Sequence, residues 1–387
     1  MAEPFTYGSD LVLKSASSKR QKLGEDFVFD SGAGQAGVRV LGICDGHYGK
    51  GAAAYVSSHF LSELQDRLSI DSHADRETTA AELRHAVTRT FIKLADCFER
   101  SKKISGTTLT VAILTGDLLT VANIGDCKAF LDDGVELIEL TNSHRIEDNI
   151  GEQRRLQSAG ALVGRSCAAL TGPTAEGEKG IGKLRVWAKS GLGGLRIGRA
   201  IGSAEIGRCI VPHPHIRQVV VPSTGARLIL GSDGLWDPLA TSKVFSLCQQ
   251  LPPQAAAARL SSVAYRAQGS EMKDDVAVIV ADILPASSTS DWPAVRASLV
   301  KGPKSWVPTC FARPAVKDGG SDTCKALEVV ADVDTWAEYA ARCEASARKA
   351  LTRDDSAMQD LDKQHTKVQQ AATLPANHLA APRLHIC

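Results

Sequence analysis

A chain of 387 residues with 45 Lys and Arg against 44 Asp and Glu has a formal charge of +1, so nothing global draws it to nucleic acid or to an anionic membrane. Hydrophobic residues make up 43% of the sequence, as in ordinary globular proteins, and no apolar run approaches the roughly 18–20 residues of a membrane span. The ten cysteines lie singly, with no Cys-x-x-Cys pair, which argues against structural zinc, a redox dithiol or a disulfide framework and fits reduced thiols in the cytoplasm or nucleus.

Met1 to Asp10 lacks the basic and apolar regions of a secretory signal and the Arg-rich character of a transit peptide, and Ala2 excludes N-myristoylation. Gly24-Glu25-Asp26-Phe27-Val28-Phe29 predicts a short strand with an acidic pair at its entrance. Gly32-Ala33-Gly34-Gln35-Ala36-Gly37 matches the dinucleotide fingerprint in form, but a strand rather than a helix follows, so a hairpin connection is expected. The buried strand Val40-Leu41-Gly42-Ile43-Cys44 ends in Asp45-Gly46-His47, a carboxylate on a rigid mount beside a group that exchanges protons near neutral pH.

Apolar spacing predicts helices over 50–68 and about 77–100. Hairpins follow, turning at Gly116-Asp117 and Asp133-Gly134, with Gly125-Asp126 placing a second carboxylate beyond a strand end. Residues 145–157 read as a polar helix and 164–194 as a glycine-rich surface excursion. Within that excursion, Gly177 to Leu184 imitates a phosphate loop without the Ser or Thr that would ligate magnesium. His213-Pro214-His215 reads as an ordinary extended segment rather than a metal site, because no third ligand lies near it. Arg227 to Gly231 is a strand ending in Ser232-Asp233-Gly234-Leu235-Trp236-Asp237. Helices over about 241–250 and 253–268 come next, and Lys273-Asp274-Asp275 opens a strongly apolar strand over 276–283. Beyond Pro285 the Ser, Pro and Gly content predicts linker, followed by a helix over 333–351; Cys387 has no prenylation context.

Asp45, Asp126, Asp233 and Asp274 are thus carboxylates distant in sequence and each placed at a strand end. Hard oxygen donors of this kind suit Mg²⁺ or Mn²⁺. Two such ions can activate water for in-line displacement at phosphorus, with a nearby His protonating the leaving oxygen. No Ser-His-Asp order or Gly-x-Ser-x-Gly elbow competes.

In order, Gly24-Glu25-Asp26, Asp45-Gly46-His47, Ser105-Gly106-Thr107-Thr108, Ala122-Asn123-Ile124-Gly125-Asp126, Leu195 to Gly202, Ser232 to Asp237 and Lys273-Asp274-Asp275 resemble the motifs of the protein phosphatase 2C family, closest to its plant-type members. The likeness covers residues 8–285. It implies an α+β fold, a central sandwich of two antiparallel sheets flanked by helices on both faces. It also implies Mg²⁺- or Mn²⁺-dependent hydrolysis of phosphoserine and phosphothreonine in proteins. Position by position, Asp45 would bridge two metals, Gly46 would offer its carbonyl, and Asp233 and Asp274 would be further ligands. Glu25 and Asp26 would act through bound waters. Asp126 and Asp237 match positions of a third, weaker metal, and His47 matches the general acid. Arg20, Lys22 and Thr108 are the candidates for contact with the substrate phosphate. Gln21 occupies the register where many members carry the phosphate-binding Arg, Ser203 replaces an Asp, and Cys127-Lys128 replaces Ser-Arg.

The expected organisation is a phosphatase domain over 1–285 and an extension of unknown function over 286–387. The protein would act on phosphorylated proteins as a monomer, without nucleic acid or membrane. Rival readings are a catalytically weak phosphoprotein-binding module and a hydrolase of small phosphoesters on the same metals.

Overall fold

The computed structural model describes residues 11–32, 37–69, 74–167, 172–175, 179–188, 190–191, 193–269, 273–288, 291–299 and 325–327. Two antiparallel sheets form its centre. One runs in the order Leu11–Arg20, Val276–Pro285, Ala226–Gly231, Lys128–Asp132, Leu137–Glu139. The other runs Lys325–Leu327, His215–Val220, Leu118–Ile124, Leu109–Thr115, Val38–Cys44, Phe27–Asp30.

Strand alternation divides each apolar run between two cores. Leu41, Ile43, Ala112 and Leu114 meet Leu228, Leu230, Ile279 and Ala281 between the sheets. Their neighbours Val40, Val111 and Ile113 face outward onto helices Gly51–Gln65 and Arg76–Glu99 through Val56, Phe60, Leu83 and Phe91. On the opposite outer face, Ile229, Val276, Val278 and Val280 pack against helices Thr241–Cys248 and Pro253–Ala267. These sandwiched layers make the α+β architecture that the family resemblance implies.

Both hairpins form with the expected turns, pairing Leu109–Thr115 with Leu118–Ile124 and Lys128–Asp132 with Leu137–Glu139. Val38–Cys44 pairs with Phe27–Asp30, so the glycine-rich connection does join two strands, although residues 33–36 lie outside the described set. The excursion after Gly160 holds a strand pair, Leu162–Ser166 with Ile181–Trp187, over a small core built on Ile146, Leu156 and Ile197. The phosphate-loop imitation therefore runs into a strand, not a helix.

The polar helix differs most from the sequence pattern: it spans Ile150–Ser158, because the Asn149 side chain accepts from Glu152 N–H and caps it there. Residues 145–149 are left outside the helix, with consequences for the site. Past Pro285, where composition suggests linker, helix Trp292–Leu299 buries Trp292 fully and Lys325–Leu327 adds an edge strand. The helix expected over 333–351 lies outside the described residues. Among the described residues no helix is long and apolar enough to cross a membrane, and Cys44, Cys97, Cys127, Cys209 and Cys248 are free thiols.

Candidate functional site

Strand ends from both sheets open onto one cleft of about 290 Å³, lined by Glu25, Asp45, Gly46, His47, Asp126, Asp233 and Asp274 among others. Asp45 follows the strand Val38–Cys44 directly. Its carbonyl accepts from Thr108 N–H at 2.9 Å and Thr107 hydroxyl at 3.1 Å, and its N–H donates to Thr108 Oγ1 at 3.1 Å. Thr108 therefore positions Asp45, and its Oγ1 also meets Cys127 Sγ at 3.2 Å. Gly46 donates its N–H to Glu25 carbonyl, and a Cβ on it would sit 2.8 Å from that oxygen. Glycine is what lets the two acidic segments approach.

Glu25 accepts from Gly49 N–H, and Asp26, 1% exposed, accepts from Ser232 hydroxyl at 2.8 Å. The loop carrying both is held by Asp275, whose carboxylate accepts from the N–H groups of Lys22, Leu23, Glu25 and Asp26 at 2.5–3.2 Å. Burial raises the Asp275 pKa, but these four donors outweigh it and bring the carboxyl below its ordinary range. Asp275 escapes the sequence reading, which assigns a role only to its neighbour Asp274; a doubled Asp at a strand start was the available signal.

The carboxylates crowd one another. Among the described residues Asp45, Asp126 and Asp233 each bring one oxygen within 4.8 Å of the others. Burial, then the charges of Asp26, Asp233, Asp126 and Asp274, push Asp45 well above the carboxylate range. Asp26 rises through burial and neighbouring acids despite the Ser232 bond, and Asp274 rises chiefly through burial. Asp233 is pushed up to about 7 by burial and by Asp126 and Asp274, with Arg145 opposing. So many hard oxygen donors with so few cations among them fit a divalent metal of the Mg²⁺ or Mn²⁺ type.

His47 lies on a three-stranded ribbon of Gly46–His47, Gly106–Thr107 and Ile201–Gly202. Its Nε2 is 2.6 Å from Ser203 Oγ, and burial lowers its pKa to about 4, with Asp126 only partly offsetting this. A Cβ on Gly106 would fall 2.1 Å from Ser203 Oγ and 2.3 Å from His47 Nε2, so this contact requires glycine there. Ser203, read from the sequence only as a departure, is thus the direct partner of the imidazole.

Arg145 is a further residue that sequence reasoning missed. Left outside the helix, it is paired through the backbone with Ile197 and reaches Asp126, Asp233 and Asp237. Arg185 and Arg196 line the same cleft, and Arg196 lies 3.6 Å from Asp233. Arg20 instead bonds Ser262 and lines a separate cavity with Lys19, Gln21 and Arg266. The Gln21 side chain donates to Asp26 carbonyl.

Comparison with known proteins shows the family and the fold. The family model "Protein phosphatase 2C" matches residues 14–272. The chain is 37% identical over 256 residues to "Probable protein phosphatase 2C 5" of Arabidopsis thaliana, covering 66% of this chain and 56% of the relative. It is 34% identical over 282 residues to "Probable protein phosphatase 2C 15" of Oryza sativa subsp. japonica, covering 71% and 60%. The match therefore spans less than two thirds of those relatives' length. In fold, the chain is similar to a C. elegans sex determining protein (TM-score 0.58, 21% identity, covering 76% of this chain and 68% of that one). It is also similar to the serine-threonine phosphatase 2C of Toxoplasma gondii (TM-score 0.57, 18% identity, 72% and 96%). From the family model, the plant relatives and the order of its acidic strand ends, the chain belongs to the protein phosphatase 2C family.

Proposed function

We propose that this chain is a Mg²⁺- or Mn²⁺-dependent protein serine/threonine phosphatase acting on phosphorylated proteins. The observation that carries the reading is the gathering of Asp45, Asp126 and Asp233 within 4.8 Å beside an imidazole, in a cleft open to solvent. Asp45, Asp233 and Asp274 would hold a metal pair together with the Gly46 carbonyl, and Glu25 and Asp26 would hold its waters. A metal pair held there would supply positive charge to the phosphoryl oxygens and would acidify a water for attack on phosphorus.

The remaining work falls to the chain's own groups. His47 is the proton carrier for the serine or threonine oxygen that leaves. Burial keeps the ring uncharged at neutral pH, and only a small protonated fraction acts as acid. For the substrate phosphate, Arg196 is better placed than Arg20: it lines the cleft, and its side chain is 39% exposed. The reading extends to a monomer of the cytoplasm or nucleus.

Turnover of a phosphothreonine peptide with Mn²⁺, lost in Asp45→Asn, is the expected result. No turnover by the wild type at millimolar metal, or clear preference for sugar phosphates or nucleotides, would sink it. Arg196→Ala should raise KM for the peptide by about tenfold, the loss of one charge-assisted contact, with a smaller effect on kcat.

A further inference from the structure

Arg145 spends its whole guanidinium on three carboxylates. Nε donates to Asp126 Oδ2 at 2.6 Å, Nη1 to Asp237 Oδ1 at 2.7 Å, and Nη2 to Asp233 Oδ2 at 2.8 Å and Asp237 Oδ2 at 3.0 Å. The side chain is not a loose surface arm. Helix capping at Asn149 keeps residue 145 extended. The backbone is fixed on both sides, by Gly198 N–H on His144 carbonyl at 2.9 Å and Ile146 N–H on Arg196 carbonyl at 2.8 Å. Asp237, 47% exposed, faces Arg145 with both oxygens, the planar fork-to-fork geometry that lysine or a spherical ion does not reproduce.

We infer that Arg145 is a built-in cation at the Asp126–Asp237 side of the cleft, where it replaces a third metal ion. The inference rests on the metal-pair reading above and sharpens it. Asp126 and Asp237 serve a guanidinium that is covalently part of the chain. A small divalent ion wants near-octahedral oxygen ligands, and one set on Asp237 would lie beside a guanidinium that already engages both oxygens of that carboxylate, where like charge opposes it. Arg145 uses only Oδ2 of Asp126 and of Asp233, so Oδ1 of each stays outside its reach and the metal pair beside Asp45 is not displaced. Arg145 is therefore a positioning residue: it fixes the number of metals and holds these carboxylates in place when no metal is bound.

Equilibrium dialysis of the metal-free full chain against millimolar Mn²⁺, with metal counted per chain, tests this without reference to turnover. The wild type should hold about two ions, the number of a two-metal centre. Arg145→Gln should take up one more, and Arg145→Lys, which keeps a charge there, should match the wild type. Asp237→Asn should leave the count unchanged. A third ion in the wild type, loss of an ion in Asp237→Asn, or a folded Arg145→Gln with an unchanged count would each overturn the inference. Should Arg145→Gln fail to fold, the Asp237→Asn count decides. A wild type that binds no Mn²⁺ defeats the metal reading and this inference together. Bound metal without peptide turnover defeats only the phosphatase reading.

Discussion

Glu152 and Asp233 are both nearly inaccessible, at 3% and 7% exposure, yet their surroundings drive them in opposite directions. Burial raises both. Around Glu152 the effect is reversed by Arg199, at 2.6 Å, and Arg155, at 2.9 Å, and its pKa falls to about 2. Around Asp233 the neighbours are mostly further acids, and it rises to about 7. The Glu152 carboxylate is fully met by two guanidiniums, whose spare donors reach out to backbone: Arg155 donates to Gly198 and Cys209 carbonyls, Arg199 to that of His213. That cluster pins the segment leading to Ser203. The cleft is left short of positive charge even with Arg145 in place. A buried carboxylate met by the chain's own arginines belongs to the fold, and a group of them left unmatched belongs to whatever cation completes it.

The sharpest test of this contrast exchanges one acid from each cluster for its amide. Asp45→Asn should lower turnover by at least about a hundred-fold, since a first ligand matters no less than an outer one. The thermal stability of the metal-free protein should not fall, because one repelling charge is gone. Glu152→Gln should do the reverse. Chemical denaturation should show a loss of roughly 3 kcal/mol from two arginines deprived of their partner, with kcat retained while the protein stays folded. If the Asn variant melts earlier, or the Gln variant is inactive but fully stable, the contrast is wrong.

A gentler probe is pH. In the metal-free protein Asp233 has a raised pKa, so between about 3.8 and about 7 the folded state holds the proton more tightly than the unfolded chain. Its contribution to stability is present at low pH and is lost as pH rises through about 7. His47, His144 and His215, lowered chiefly by burial to about 4, about 3 and about 4, act oppositely, adding stability as pH rises toward about 6.5. The metal-free curve mixes the two trends, but the difference made by Mn²⁺ isolates the acids, which must release protons to bind it. The Mn²⁺-induced rise in Tm should therefore be larger near about pH 8 than near about pH 5.5. Equal shifts at both pH values would mean that the cluster is not the metal site.

The smallest expected effect concerns the imidazole. Ser203 is fully buried at φ +61°, a left-handed conformation that Asp tolerates well. Ser203→Asp would set a carboxylate against His47 Nε2, favour the charged ring and raise its pKa. The pH at which kcat declines, as the acid loses its proton, should move up by about one to two units. A profile that stays in place would remove His47 from the proton transfer.

Much of this was legible in the primary structure, and the reasons are local. Asp45, Asp126 and Asp233 announce themselves because each closes an apolar strand, and strand periodicity is written residue by residue. The hairpins at Gly116-Asp117 and Asp133-Gly134 are read from their turn chemistry. Legibility ends where distant segments meet. Nothing near Ser203 reveals an imidazole 156 positions away, and nothing near Asp275 reveals N–H groups some 250 positions earlier. Arg145 was hidden differently. It falls within a stretch polar enough to extend the following helix, and only the Asn149 cap releases it toward the acids.

The Asp275 anchor also bears on how the protein is made. The strand that follows it, Val276–Pro285, lies in the sheet between Leu11–Arg20 and Ala226–Gly231. A chain emerging from the ribosome therefore carries Glu25 and Asp26 long before it has either the carboxylate that fastens their loop or the strand that seats the amino-terminal one. The cleft is completed near the end of the domain's synthesis, so a polypeptide stopped before residue 275 has most of the acidic residues and no assembled centre.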